Sequence, residues 1–136
     1  MIKVNFSIHA DKILNGKKDQ TCRRYSDKWR KTKEGDKILL CEGLEFEDTE
    51  PEKFRILGEA TICSLQPLDI FFYPNGVEAF IDKGGYMHPF GAFGILCIAQ
   101  YDGFEKVQDF LKFIRKTYGD VFEGVIIVWK NFKPVK

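Results

Sequence analysis

Between Gly16 and Arg24 the chain reads Gly-Lys-Lys-Asp-Gln-Thr-Cys-Arg-Arg, which places four cations, a hydroxyl and an amide within nine residues. Ammonium and guanidinium groups beside a hydroxyl suit a phosphate or a polar, planar base. The same composition also describes a solvated basic turn. Gly16 can take a positive φ, so the short apolar segment before it can stop and the chain can turn sharply. Read next as a strand, residues 20–24 alternate. Thr21 and Arg23 share one face, and Gln20, Cys22 and Arg24 the other. Cys22 behaves as a small hydrophobe and takes the core side. Thr21 and Arg23 then face outward, close to Lys18 at the turn.

Other reactive residue types are sparse. The four cysteines, at 22, 41, 63 and 97, stand singly, and neither histidine sits at a ligand spacing, so neither a structural zinc nor any cofactor is expected. His9 reads as a surface or capping residue at a helix start. An aromatic, glycine-rich loop from Gly84 to Gly91 carries Tyr86 and His88, both candidates to contact a ligand. Trp29 is the one large apolar group in the basic stretch Tyr25 to Lys33, and it anchors that stretch to the body or stacks on a base.

The elements that must position these groups follow from periodicity. Ile2, Val4 and Phe6 alternate with polar residues as a half-buried strand, and Ser7 or His9 to Asn15 makes one or two helical turns with Ile8, Ile13 and Leu14 inward. Ile38 to Cys41 is a strand covered on both faces. The acidic segment Glu42 to Lys53 is a loop or hairpin tip. Phe54 to Leu65 is a strand with Phe54, Ile56, Ala60 and Ile62 on one face, bent at Gly58 and ended by Pro67. Pro74-Asn75-Gly76 is a turn, Val77 to Asp82 a short helix, and Ala92 to Tyr101 a helix or a strand. Phe104, Val107, Phe110, Leu111, Ile114 and Tyr118 recur at helical spacing, with Gly119 as the C-terminal cap. Val125 to Trp129 is a final buried strand, followed by a basic tail.

At 136 residues this is one domain, and its composition of 44% hydrophobic and 30% charged residues is that of a globular protein. The net charge of +1 provides no global field for nucleic acid or membrane, but ten of the 21 lysines and arginines lie between Asp11 and Lys37. The longest uncharged apolar run, Ala92 to Ala99, falls far short of a membrane span. A soluble, cytoplasmic protein in a reducing compartment is expected. Short strands with one long late helix indicate an α+β fold, here a small barrel with helices at its ends.

The segments "ILNGKKDQTCR", "KEGDKILL", "GEATICSLQPL", "YDGFEKVQDFLKFIRKTYG" and "GVIIVWK", in that order, resemble the ASCH domain, a branch of the PUA-like superfamily. The resemblance runs from about Phe6 to Trp129, with an extended loop and helix insert at about 71–96. It implies a small mixed β-barrel flanked by helices, with a cleft between them that binds RNA or a modified nucleotide. Small relatives hydrolyse N4-acetylcytidine with a lysine, a threonine and an acid, which fall on Lys18, Thr21 and Asp102; Arg23 matches a cleft arginine. The acid here is one methylene shorter than the family's glutamate.

Breaking the amide of an acylated base requires a nucleophile, a base and an acid for the departing amine. Thr21, Lys18 and Asp102 fit those roles in turn. The competing function is binding alone, with Lys17, Lys18, Arg23 and Arg24 on phosphate and a loop aromatic on a base. A ribonuclease in the same cleft is a further enzymatic possibility. A protein-interaction module built on the aromatic loop is the third class.

Overall fold

A computed structural model describes all residues except Glu47, Gly84 and Lys136, and for Lys83 the backbone alone. The elements are β1 (Ile2–Phe6), α1 (Ala10–Leu14), β2 (Gln20–Arg24), α2 (Asp27–Arg30), β3 (Lys37–Glu42), a 3-10 turn (Pro51–Lys53), β4 (Arg55–Tyr73), β5 (Gly76–Lys83), β6 (Tyr86–Pro89), α3 (Ala92–Tyr101), α4 (Val107–Tyr118) and β7 (Val121–Pro134). The fold is α+β, with one large, mostly antiparallel sheet and a few helices. Among the described residues only β1 and β3 run parallel, joined by the crossover through α1, β2 and α2.

Long β4 is the spine. It pairs with β3 through its first half, with β5 through its last residues, and with β7 along most of its length; β2 lies outside β7 and β6 outside β5. These ladders do not close, so the sheet ends at β1, β2 and β6 rather than forming a hydrogen-bonded ring. The open edges of β1 and β2 are bridged by a side chain instead: the Arg23 guanidinium donates to the Asn5 carbonyl.

Strand β7 is buried on both faces and its two-residue period divides the interior. Val125, Ile127 and Trp129 join Val4, Phe6, Ile13, Ile38 and Ile62 in one core. Phe122 and Ile126 join Leu68, Ile70, Ile98, Phe110 and Ile114 in another, beneath α3 and α4. Gly124 sits at a close approach: a Cβ there would lie 2.2 Å from the Phe122 ring and 2.5 Å from the Arg23 carbonyl oxygen. Gly124→Ala is expected to cost about 1–3 kcal/mol or more by overpacking, and to push β2 away from β7. A lowered urea midpoint with unchanged slope would register it.

Several sequence expectations change. Pro67 does not end its strand. It lies where β4 has β7 on one side and neither β3 nor β5 on the other, so its missing N–H breaks no ladder there. A bulge at Leu57 shifts the face of β4, burying Leu57 and leaving Ile56 exposed. Up to Pro89 the 71–96 segment is the hairpin β4–β5 with edge strand β6, and α3 begins at Ala92; the alternating Val77, Ala79 and Ile81 make a strand where a helix was expected. Gly84, the start of the expected aromatic loop, lies outside the described residues. The tail continues as β7 to Pro134. Ile8 and Leu14 are exposed while Ile13 alone of that trio is buried, because α1 has only five residues and one inward side. Trp29, 5% exposed, anchors its stretch. Among the described residues, no helix is long and apolar enough to cross a membrane.

Candidate functional site

Segment 12–20 docks on the C-terminal end of α3, where the last carbonyls of a helix need donors. Gln20 Nε2 donates to the Ile98 carbonyl at 3.2 Å, and the Lys18 and Lys12 ammonium groups donate to the carbonyls of Asp102 and Gly103. Gly16, at φ 80, turns the chain so that these side chains return across α3. The basic stretch is therefore a helix cap as well as a site, which no local pattern announces.

Lys18 is 3% exposed. Its Nζ lies 3.5 Å from Asp102 Oδ2 and 5.6 Å above the Phe6 ring. Thr21 is also buried; its Oγ1 accepts from Arg23 Nε at 3.1 Å, which leaves the hydroxyl proton available. Arg23 stacks 4.9 Å from the Phe6 centroid. The alternation expected for β2 holds, but its outward face is covered by Phe6 and the edge of β1 rather than open to water. Lys18, Thr21, Arg23 and Asp102 all line one cavity of about 110 Å³, walled by Phe6, Phe104, Phe113 and Tyr118. A cavity of roughly 150 Å³ holds benzene, and at about 110 Å³ this hollow is smaller than that.

Not every expected residue arrives. Lys17 is exposed and faces a separate shallow groove with Lys12 and Glu105. Arg24 points to the other face of β2, where it donates to the Tyr118 carbonyl at 2.6 Å and caps α4. Tyr86 and His88 stand exposed on β6 and do not line the cavity. Their loop forms the sheet edge because it pairs with β5. Sequence reasoning missed His9, which does line the cavity. It has a left-handed φ of 67, and its ring packs edge-on 4.6 Å from Phe104. No local pattern marks it; the ring is placed beside Gly103, where a Cβ would lie 2.7 Å from His9 Nδ1.

Electrostatics separate these groups from ordinary surface charges. Burial lowers the Lys18 pKa, against the opposing pull of Asp102. Burial raises the Asp102 pKa, against Lys18 and Arg23. His9 is lowered by burial and then by Lys18 and Lys12, so its imidazole stays neutral. Burial holds the Cys22 thiol well above its usual range, which makes it inert. Among the described residues, no group of three His, Cys, Asp or Glu is placed to hold a metal.

No family model, curated protein or solved structure matches the chain. The meaning of the site therefore rests on its own geometry.

The two shifts predict a pH profile. A raised Asp102 pKa gives stability that is complete below 3.8 and is lost as pH climbs through its folded value. A lowered Lys18 pKa gives stability that is complete above 10.5 and is lost as pH falls through its folded value. Denaturation across the pH range is expected to show both losses, and Asp102→Asn to remove the first.

Proposed function

We propose that the chain is an ASCH-type, PUA-like domain whose cleft takes one planar base, from RNA or from a modified nucleoside or nucleotide. The observation that supports this most is the convergence of Lys18, Thr21, Arg23 and Asp102 on one hollow with four aromatic walls. Aromatic faces hold a base by stacking, and fixed polar groups read its edge. Titration with short single-stranded RNA and with free nucleosides tests it. Binding is expected to weaken with salt for RNA, in proportion to the phosphates engaged, and Thr21→Val and Arg23→Gln are expected to weaken both. Undiminished binding in both variants would contradict the assignment.

Hydrolysis of an acylated base is the second function, favoured by one observation: a lysine and a carboxyl group, 3% and 6% exposed, lie 3.5 Å apart, where burial moves their pKa values toward each other. In that reaction the Lys18 ammonium first passes a proton to the Asp102 carboxylate, and Thr21 Oγ then bonds to the acyl carbon while its own proton passes to the neutral Lys18 amine. Asp102, 3.5 Å from that ammonium, relays the proton to the departing ring amine as the C–N bond breaks. Water then cleaves the acyl-threonine ester to free the acid and restore the hydroxyl. Release of cytidine from N4-acetylcytidine, abolished by Thr21→Val, is the expected result. Cleavage of single-stranded RNA instead would assign a ribonuclease, and inertness to both would leave binding alone.

A further inference from the structure

Sixteen consecutive residues, Tyr86 to Tyr101, contain no lysine, arginine, aspartate or glutamate, in a chain that is 30% charged. They form β6 and α3, and their largest side chains are not all in the core: Tyr86 is 75% exposed, Phe93 79% and Tyr101 61%. Single apolar residues on a surface are ordinary, whereas a continuous patch marks a contact. Two observations join this one. On β6, His88 stands opposite Ile81, which packs in the core beneath α3 and α4. By the two-residue alternation, Tyr86 and His88 therefore point to the sheet face that carries α3. Phe90 then lies against α3 itself, where a Cβ on Gly94 would meet its ring at 2.6 Å. Along the helix Phe93, the half-exposed Cys97 and Tyr101 follow at four-residue spacing, on one side. The neighbouring α4 shows the contrast, with Asp109, Lys112 and Lys116 on its exposed side.

We propose that β6 and α3 form a two-fold interface with a second copy of this chain, centred on Phe93. The inference does not depend on what the cleft binds. An added strand is a poor occupant. Phe90 N donates to the Ala79 carbonyl at 2.7 Å, so by ladder alternation Met87 and Pro89 turn their main-chain groups away from β5, and Pro89 has no N–H to offer. The open edge is thus blunted. A lipid surface is a poor occupant too, because helices lying on membranes carry Lys or Arg for the headgroups and this strip has none. Interfaces between identical chains are the most apolar and charge-depleted kind. An uncharged strip can also meet its own copy across a two-fold axis without opposing like charges. At about 200 Å² for a whole aromatic side chain, Tyr86, Phe93 and Tyr101 expose about 400 Å², half of the roughly 800 Å² that each partner gives a stable interface. His88, Phe90 and Cys97 lie among them and extend the patch.

Sedimentation velocity of the full chain, from nanomolar to high micromolar concentration, tests the interface. The expected species has twice the 15.8 kDa mass of the chain. Phe93→Glu and Tyr86→Glu each set a charge within the patch and are expected to weaken the dimer by about thirtyfold or more, the scale of a central aromatic lost from an interface. Both side chains are largely in water, so circular dichroism is expected to show the fold retained; if one variant fails to fold, the other decides. Phe46→Glu, at a phenylalanine 69% exposed outside the strip, is expected to leave the dimer intact. A monomer at every concentration would overturn the inference. So would a dimer undisturbed by both strip variants, or one broken equally by Phe46→Glu. Binding of a monomer to phosphatidylcholine vesicles, lost in Phe93→Glu, would overturn it and give the strip to lipid.

Discussion

Replacing Lys18 by methionine is expected to destabilise the fold by about 3–5 kcal/mol near neutral pH, because it strands a buried carboxylate. Lys18 and Asp102 have side chains only 3% and 6% exposed, so water does little to compensate the loss of the ammonium. Asp102 would then lose the strongest of the influences that lower its pKa and would take up a proton more readily. The deficit is therefore expected to shrink as pH falls. The double variant Lys18→Met, Asp102→Asn removes both charges and is expected to recover much of the loss. Urea denaturation of the two singles and the double gives the coupling directly. Additive effects would show that the pair does not interact. Base binding is expected to fall by about a hundredfold in the single variant, on the scale of one fixed polar group removed from a dry site, and the double is not expected to restore it.

Phe110→Ala is expected to cost about 3–5 kcal/mol. Phe110 is fully buried between α4 and the sheet, and its ring lies 5.7 Å from that of Phe104, edge to face. Phe104 in turn walls the cavity and supports His9. The variant is therefore expected to lower the urea midpoint and also to weaken ligand binding, although residue 110 does not touch the hollow. A loss of stability with ligand affinity unchanged would uncouple this core from the site. Leu111→Ala, on the partly buried flank of the same helix, is expected to cost less.

Elements whose partner lies close by in the pattern were legible. Ile2, Val4 and Phe6 announced β1, the three- and four-residue recurrence from Phe104 to Tyr118 announced α4, and Gly119, at φ 92, ends it as expected. The segment from Pro67 to Pro89 was not legible. Pro67 stops a strand only when its N–H is needed, and that depends on how far β3 and β5 extend along β4. Val77 to Asp82 is short enough for a two-residue and a helical period to coexist, and pairing with β4 decided between them. At the site, Thr21, Arg23 and Lys18 could be grouped from alternation and a turn. Asp102 came through a resemblance, and its side chain meets Lys18 across 84 residues of chain. His9 could be placed only once Gly103 and Phe104 were beside it. Its residue type at a helix start carried no such information.

Isotope-edited NMR during a titration with cytidine tests the base site most directly. The account predicts shifts confined to residues 5–9, 18–23, 102–104 and 113–118, the four segments that wall the cavity, with Tyr86 and His88 still. Shifts centred on Tyr86 to Pro89, with Lys18 and Asp102 unmoved, would contradict it.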